Sequence, residues 1–108
     1  MVYLYSWNSR EGKIFEYKGY IFYGRLYEQP NNSGSWICHT PTKEGEYWDN
    51  KVWFRKPNKQ RAILIFIAHE NEMINKLRDE IAKRNEKIRV LANMEVEDGI
   101  NHVQRKAL

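Results

Sequence analysis

Pro57-Asn58-Lys59-Gln60-Arg61-Ala62-Ile63-Leu64-Ile65-Phe66-Ile67-Ala68 is the stretch on which the fold turns, because the chain changes composition across it. Its apolar part, Ala62 to Ala68, has the β-branched and aromatic content of a buried central strand, yet it fits a helix as well. Helix is the favoured assignment. Pro57-Asn58 offers a helix start with Asn58 as N-cap, no Gly or Pro follows until Gly99, and Asp98-Gly99 supplies a stop or a post-helix turn. If the apolar run is instead a strand, Asn71 becomes the N-cap and the helix shrinks to about residues 72–93. The helix from Glu72 onward is common to both alternatives.

Upstream of this stretch the chain reads as sheet. Of the 15 aromatic residues, 14 lie at or before Phe54, interleaved with β-branched residues and bounded by Gly, Asn, Pro and Ser. Candidate strands are Val2 to Trp7, Lys13 to Tyr17, Tyr20 to Glu28, Ser35 to Thr40 and Lys51 to Lys56. Asn8 to Gly12 and Pro30 to Gly34 read as loops, and Lys18-Gly19 as a two-residue hairpin turn. Connections this short favour an antiparallel meander. The expected fold is therefore α+β in a single domain: a meander of about three to five strands over residues 1–56, a long amphipathic helix over 58–94, and a C-terminal tail over 95–108.

Length and charge narrow the function classes. A chain of 108 residues reads as one domain, able to bury roughly 65% of its unfolded surface. A net charge of +4 is mildly basic and selects no partner by itself. All of it sits after Phe54, where 12 basic residues face eight acidic ones; before that point six oppose six. The lone Cys38 has no disulfide partner within the chain, and Met1-Val2-Tyr3-Leu4-Tyr5 lacks the regions of a signal peptide, so a reducing cytoplasm is expected. The seven-residue apolar run falls far short of the roughly twenty a membrane span needs, so no membrane association is expected.

Ile67, Ile74, Ile81 and Ile88 recur every seven residues, and three positions further on stand Glu70, Leu77, Arg84 and Leu91. Ile at a with Leu at d is the preference of a short two-stranded parallel coiled coil, weakened here by Glu70 and Arg84. The same stripe also suits the buried face of a helix lying on a sheet. Length favours the first account, since a helix of about 35 residues spans about 52 Å and a short strand only ~17 to 20 Å. Ile74, Leu77, Ile81, Ile88 and Leu91 are thus the candidate self-association residues.

Motifs for chemistry are weak. His69-Glu70-Asn71-Glu72-Met73 approaches the zinc-protease helix motif, but Met73 stands where the second histidine must be, and a thioether serves zinc poorly. Cys38-His39 would point to opposite faces of a strand, which separates thiol from imidazole. Glu44, Glu46 and Asp49 lie in what reads as a solvated turn. No G-x-S-x-G, phosphate loop or dinucleotide fingerprint occurs. No enzyme, metal site or cofactor is expected.

Lys18-Gly19-Tyr20-Ile21-Phe22-Tyr23 resembles the ribonucleoprotein motif of RNA-recognition domains at Lys18, Gly19, Tyr20 and Phe22. Ile21, Tyr23 and Arg25 depart from it, and no helix can precede this strand, so that family is rejected. Strand alternation is more informative: it places Ile21, Tyr23, Arg25 and Tyr27 on one face, opposite Tyr20, Phe22 and Leu26. Trp53 and Arg55 repeat the aromatic–basic pairing, and Arg55, Lys56, Lys59 and Arg61 follow with no acid among them. Such a face stacks bases or anchors proteins about equally well. The leading expectation is a non-enzymatic protein-binding module that self-associates through its helix. It has the size of a small viral or mobile-element accessory protein that inhibits or modulates a host complex by occupying it. The alternative is nucleic-acid or nucleotide binding through Tyr23, Arg25, Tyr27, Trp53, Arg55, Lys56, Lys59 and Arg61.

Overall fold

A computed structural model describes residues 1–29 and 34–98, with side chains up to Met94. The expected loop up to Gly34, residues 30–33, and the tail from Gly99, with His102, lie outside the described residues. The chain runs through β1 (Val2–Asn8), β2 (Lys13–Phe22), β3 (Arg25–Glu28), β4 (Cys38–His39), β5 (Lys51–Phe54) and α1 (Lys59–Asp98). All strand pairs are antiparallel, in the order β4-β3-β2-β1-β5. The first four strands make the expected meander, and β5 returns to the other edge of β1. The sheet is curled.

Two of the expected turns behave differently. At Asn8 to Gly12 the Asn8 Oδ1 accepts the backbone N–H groups of Arg10 and Glu11, both at 3.1 Å, and Gly12 closes the loop with φ 65°. Lys18-Gly19, by contrast, is not a turn. β2 passes straight through it, and the hairpin to β3 turns at Tyr23-Gly24, whose φ values of 51° and 70° suit a type I′ turn. Gly19 is needed for a different reason. It pairs with Val2 on one side and Glu28 on the other, and a Cβ there would collide with the Tyr27 carbonyl oxygen.

Each face of the sheet has its own core. On one face Tyr5, Val52 and Phe54 pack with Ala62 and Phe66 of α1, with Tyr3, Trp7, Ile14, Tyr47 and Ile65 around them. On the other, inside the curl, lie Leu4, Leu26 and Trp53, flanked by Val2, Tyr17, Ile21 and Cys38. β2 serves both cores, offering Ile14 to the first and Tyr17 and Ile21 to the second. The apolar run of Ala62 to Ala68 is helical: Ala62, Ile65, Phe66 and His69 follow the i, i+3, i+4, i+7 spacing of one covered helix face. Asn58 caps the helix, its Oδ1 accepting the N–H of Arg61 at 3.2 Å. Its own N–H donates to the Tyr5 hydroxyl at 2.9 Å, tying the helix start to β1.

Met1–His69 forms one compact unit and the chain from Glu70 a second. The first holds both cores. In the second, every described side chain is exposed.

Candidate binding surfaces

Cross-strand partners share a face, so the register decides which aromatic and basic groups meet. Phe22 pairs with Arg25, Tyr20 with Tyr27, Ile21 with Leu26, and Arg25 with His39. Lys18, Tyr20, Phe22, Arg25, Tyr27 and His39 therefore share the face on which α1 packs further along, at β1 and β5. At the β3–β4 end Tyr20 and Phe22 are exposed, while Tyr27 is half-buried. This corrects the expected grouping. Ile21 lies on the opposite, inner face, and Tyr23 lies in the turn, 89% exposed. The turn at Tyr23-Gly24 breaks the alternation that would have run from Tyr20 to Tyr27.

The surface has internal order. The Arg25 guanidinium lies 4.9 Å from the Trp36 ring centroid, and Trp36 lies 4.7 Å from the His39 ring at a tilt of 51°, giving a cation–aromatic–imidazole cluster. Phe22 meets Tyr23 edge to face at 4.4 Å. Beside this cluster, Gly24, His39, Thr40, Pro41, Thr42 and Trp48 line a groove of about 320 Å³. Thr40 is buried there with its hydroxyl unpartnered, while its backbone N–H donates to the Gly24 carbonyl at 3.0 Å. Tyr20, Phe22, Trp36 and His39 are surface members that alternation in the sequence missed. The signal that would have found them is Gly24, a second glycine able to close a hairpin.

Trp53 is not on this surface. It is 9% exposed, faces the inner core, and its Nε1–H donates to the Pro41 carbonyl at 2.9 Å. An indole so buried has no face left for a base or a partner, and its role is packing. Arg55 and Lys56 are exposed just after β5, separated from Arg25 and Tyr27 in the sheet order by β1 and β2. The basic cluster is also not acid-free in space. Glu44 Oε1 accepts the Arg55 backbone N–H at 2.9 Å, and its other oxygen lies 3.9 Å from Arg55 Nε. Arg61 rests over the Phe54 ring at 5.7 Å, and Lys59 lines a separate groove with Trp7, Ile14, Phe15 and Ile63. The structure thus splits the eight candidates: Arg25, Tyr27 and the adjacent Tyr23 gather at one end, the four cations at the other, and Trp53 is withdrawn into the core.

Cys38 and His39 do lie on opposite faces, Cys38 paired with Leu26 in the inner core and His39 against Trp36. Burial pushes the Cys38 thiol above its ordinary pKa, against the opposing pull of Lys51, which leaves it a poor nucleophile at neutral pH. His69 stacks on Tyr47 at 3.9 Å. Among the described residues no three His, Cys, Asp or Glu side chains converge to hold a metal ion, and no helix is long and apolar enough to cross a membrane.

The second surface is the helix seam. Ile74 is 45% exposed and Ile88 63%, with Leu77, Ile81 and Leu91 between these values. Solvated ion pairs lie along the same helix: Glu72 with Lys76 and Glu86 with Arg89 away from the seam, and Glu80 with Arg84 at its edge. No family model, characterised protein or solved structure matches the chain.

Proposed function

We propose that this protein is a non-enzymatic binding module that acts by occupying a protein partner and that self-associates through α1. The observation carrying this reading is the run of apolar seam residues from Ile74 to Leu91, each about half exposed on a helix with no described side chain buried beyond His69. A folded chain in water rarely leaves so many apolar side chains bare along one helix face, even one that Arg84 interrupts, and such stripes mark surfaces that another molecule covers. A small module without catalytic machinery suits an inhibitor or modulator that works by blocking a complex, and a cytoplasmic setting suits its single thiol. Sedimentation of the full chain over a wide concentration range tests the self-association. A reversible dimer that Ile81→Asp abolishes supports it, and a monomer at every concentration refutes it.

A second reading, nucleic-acid or nucleotide binding, draws on the Arg25–Trp36–His39 cluster with Tyr20, Phe22 and Tyr23 exposed beside it. Titration of labelled single-stranded oligonucleotides at two salt concentrations separates the two. Nucleic-acid binding requires a saturable site at low salt, weakened by about 1 to 3 kcal/mol in Trp36→Ala if a base stacks there. A protein-binding surface shows only weak, non-saturable association.

A further inference from the structure

The flanks of the helix seam carry information about which way two helices meet. Ile74, Ile81 and Ile88 occupy a positions, and Leu77, Arg84 and Leu91 occupy d positions. In a parallel pair each a and d residue faces its own copy, which sets Arg84 against Arg84 inside the seam. Position g then lies beside e of the next heptad, so Glu80 meets Asn85 and Lys87 meets Ala92, with no ion pair. In an antiparallel pair a faces d and g lies beside g. If Ile74 faces Leu91 of the second copy, Leu77 faces Ile88 and Ile81 faces Arg84. Glu80 of each copy then lies beside Lys87 of the other. Sliding the helices by one heptad in either direction sets Glu80 beside Glu80 or Lys87 beside Lys87. Only one antiparallel register therefore brings opposite charges together at the g positions, and the parallel arrangement pairs none.

From this complementarity, which opposes the parallel preference of Ile at a with Leu at d, we infer that the seam binds a second copy of α1 antiparallel, with Ile74 against Leu91 and Glu80 beside Lys87. The inference rests on the self-association proposed above and adds its direction and register. Arg84 fits this arrangement. Its guanidinium pairs with Glu80 of its own helix at 3.4 Å, so its stem can lie across Ile81 of the second copy while the charge stays at the rim. The flanking pairs are solvated and serve mainly to select orientation, while the apolar layers supply the affinity.

Cysteine cross-linking in the full chain tests the direction. In a Cys38→Ser background, Ile74→Cys and Leu91→Cys chains are mixed in a glutathione redox buffer. The ratio of mixed disulfide, joining one chain of each variant, to homodisulfides is expected to exceed that of random pairing by about tenfold, because pairing raises the local thiol concentration. Homodisulfides formed by each variant alone would overturn the antiparallel direction while leaving self-association intact. A dimer in sedimentation with no cross-link at either site would overturn the register, and a monomer would overturn self-association as well. A charge test runs independently of cysteine: Lys87→Glu should weaken dimerisation about 3- to 10-fold, and Glu80→Lys with Lys87→Glu should restore it. Failure of the double variant to recover would refute the Glu80–Lys87 pairing.

Discussion

Tyr5 is fully buried between sheet and helix, and one hydroxyl holds three elements together. It accepts the Asn58 N–H at 2.9 Å and is hydrogen-bonded to Glu16 on β2. Burial, reinforced by Glu16, pushes its pKa up to about 12 from 10.0. Below pH 10 the phenol is neutral in folded and unfolded chains, so the full stability is present. Between pH 10 and about 12 only the unfolded chain ionises, and stability is lost as pH rises through that window. Tyr5→Phe should therefore cost about 1 to 3 kcal/mol in urea unfolding at neutral pH, from the orphaned Asn58 N–H. The same variant should fall less steeply in stability between pH 10 and about 12. An alkaline profile unchanged by the substitution would refute this role for Tyr5.

The β2–β3 hairpin carries the largest difference between alternation in the sequence and the observed faces. Both Lys18-Gly19 and Tyr23-Gly24 present a glycine in a short polar or aromatic context, and local chemistry does not choose between them. The choice follows from β1, which pairs with β2 from Lys13 to Gly19 and so keeps that segment extended. Gly19 is then required for backbone approach rather than for a turn. Gly19→Ala should destabilise the sheet by about 1 to 3 kcal/mol or more, since the Tyr27 carbonyl is backbone and cannot swing aside. Gly24→Ala meets no atom within 4 Å, so its cost should come only from holding a side chain at φ 70°. Chemical denaturation of the two variants distinguishes a steric from a conformational penalty. Equal losses would show that Gly19 is not a contact position.

At the scale of the whole molecule, the two units divide the work. All four tryptophans and both cores lie within Met1–His69, while the exposed seam lies beyond it. Ile81→Asp should accordingly abolish concentration-dependent sedimentation, because a carboxylate in an apolar seam is relieved only by separation. It should leave the near-ultraviolet circular dichroism of the tryptophans unchanged. A variant that loses that signal would mean that the seam supports the sheet unit rather than a partner.

Features that depend on near neighbours along the chain were legible before any fold was known. Aromatic and β-branched content marked the sheet half, the absence of Gly and Pro marked the helix, Asn58 marked its start, and the seven-residue spacing of isoleucines marked the seam. Packing across the chain settled the helical state of Ala62 to Ala68, whose Ala62 and Phe66 found a sheet to cover, and the site of the β2–β3 turn. It also settled which rings are open to solvent. Trp53 and Tyr20 are both aromatic residues in strands, yet one is sealed beneath the Pro41 carbonyl and the other faces water. Glu44 reached Arg55 across 11 residues of chain, and Tyr47 reached His69. Composition and periodicity act locally, whereas a strand's outward face depends on its register. That register is set by the partner strand, and the curl of the sheet then selects which outward side chains stay outside.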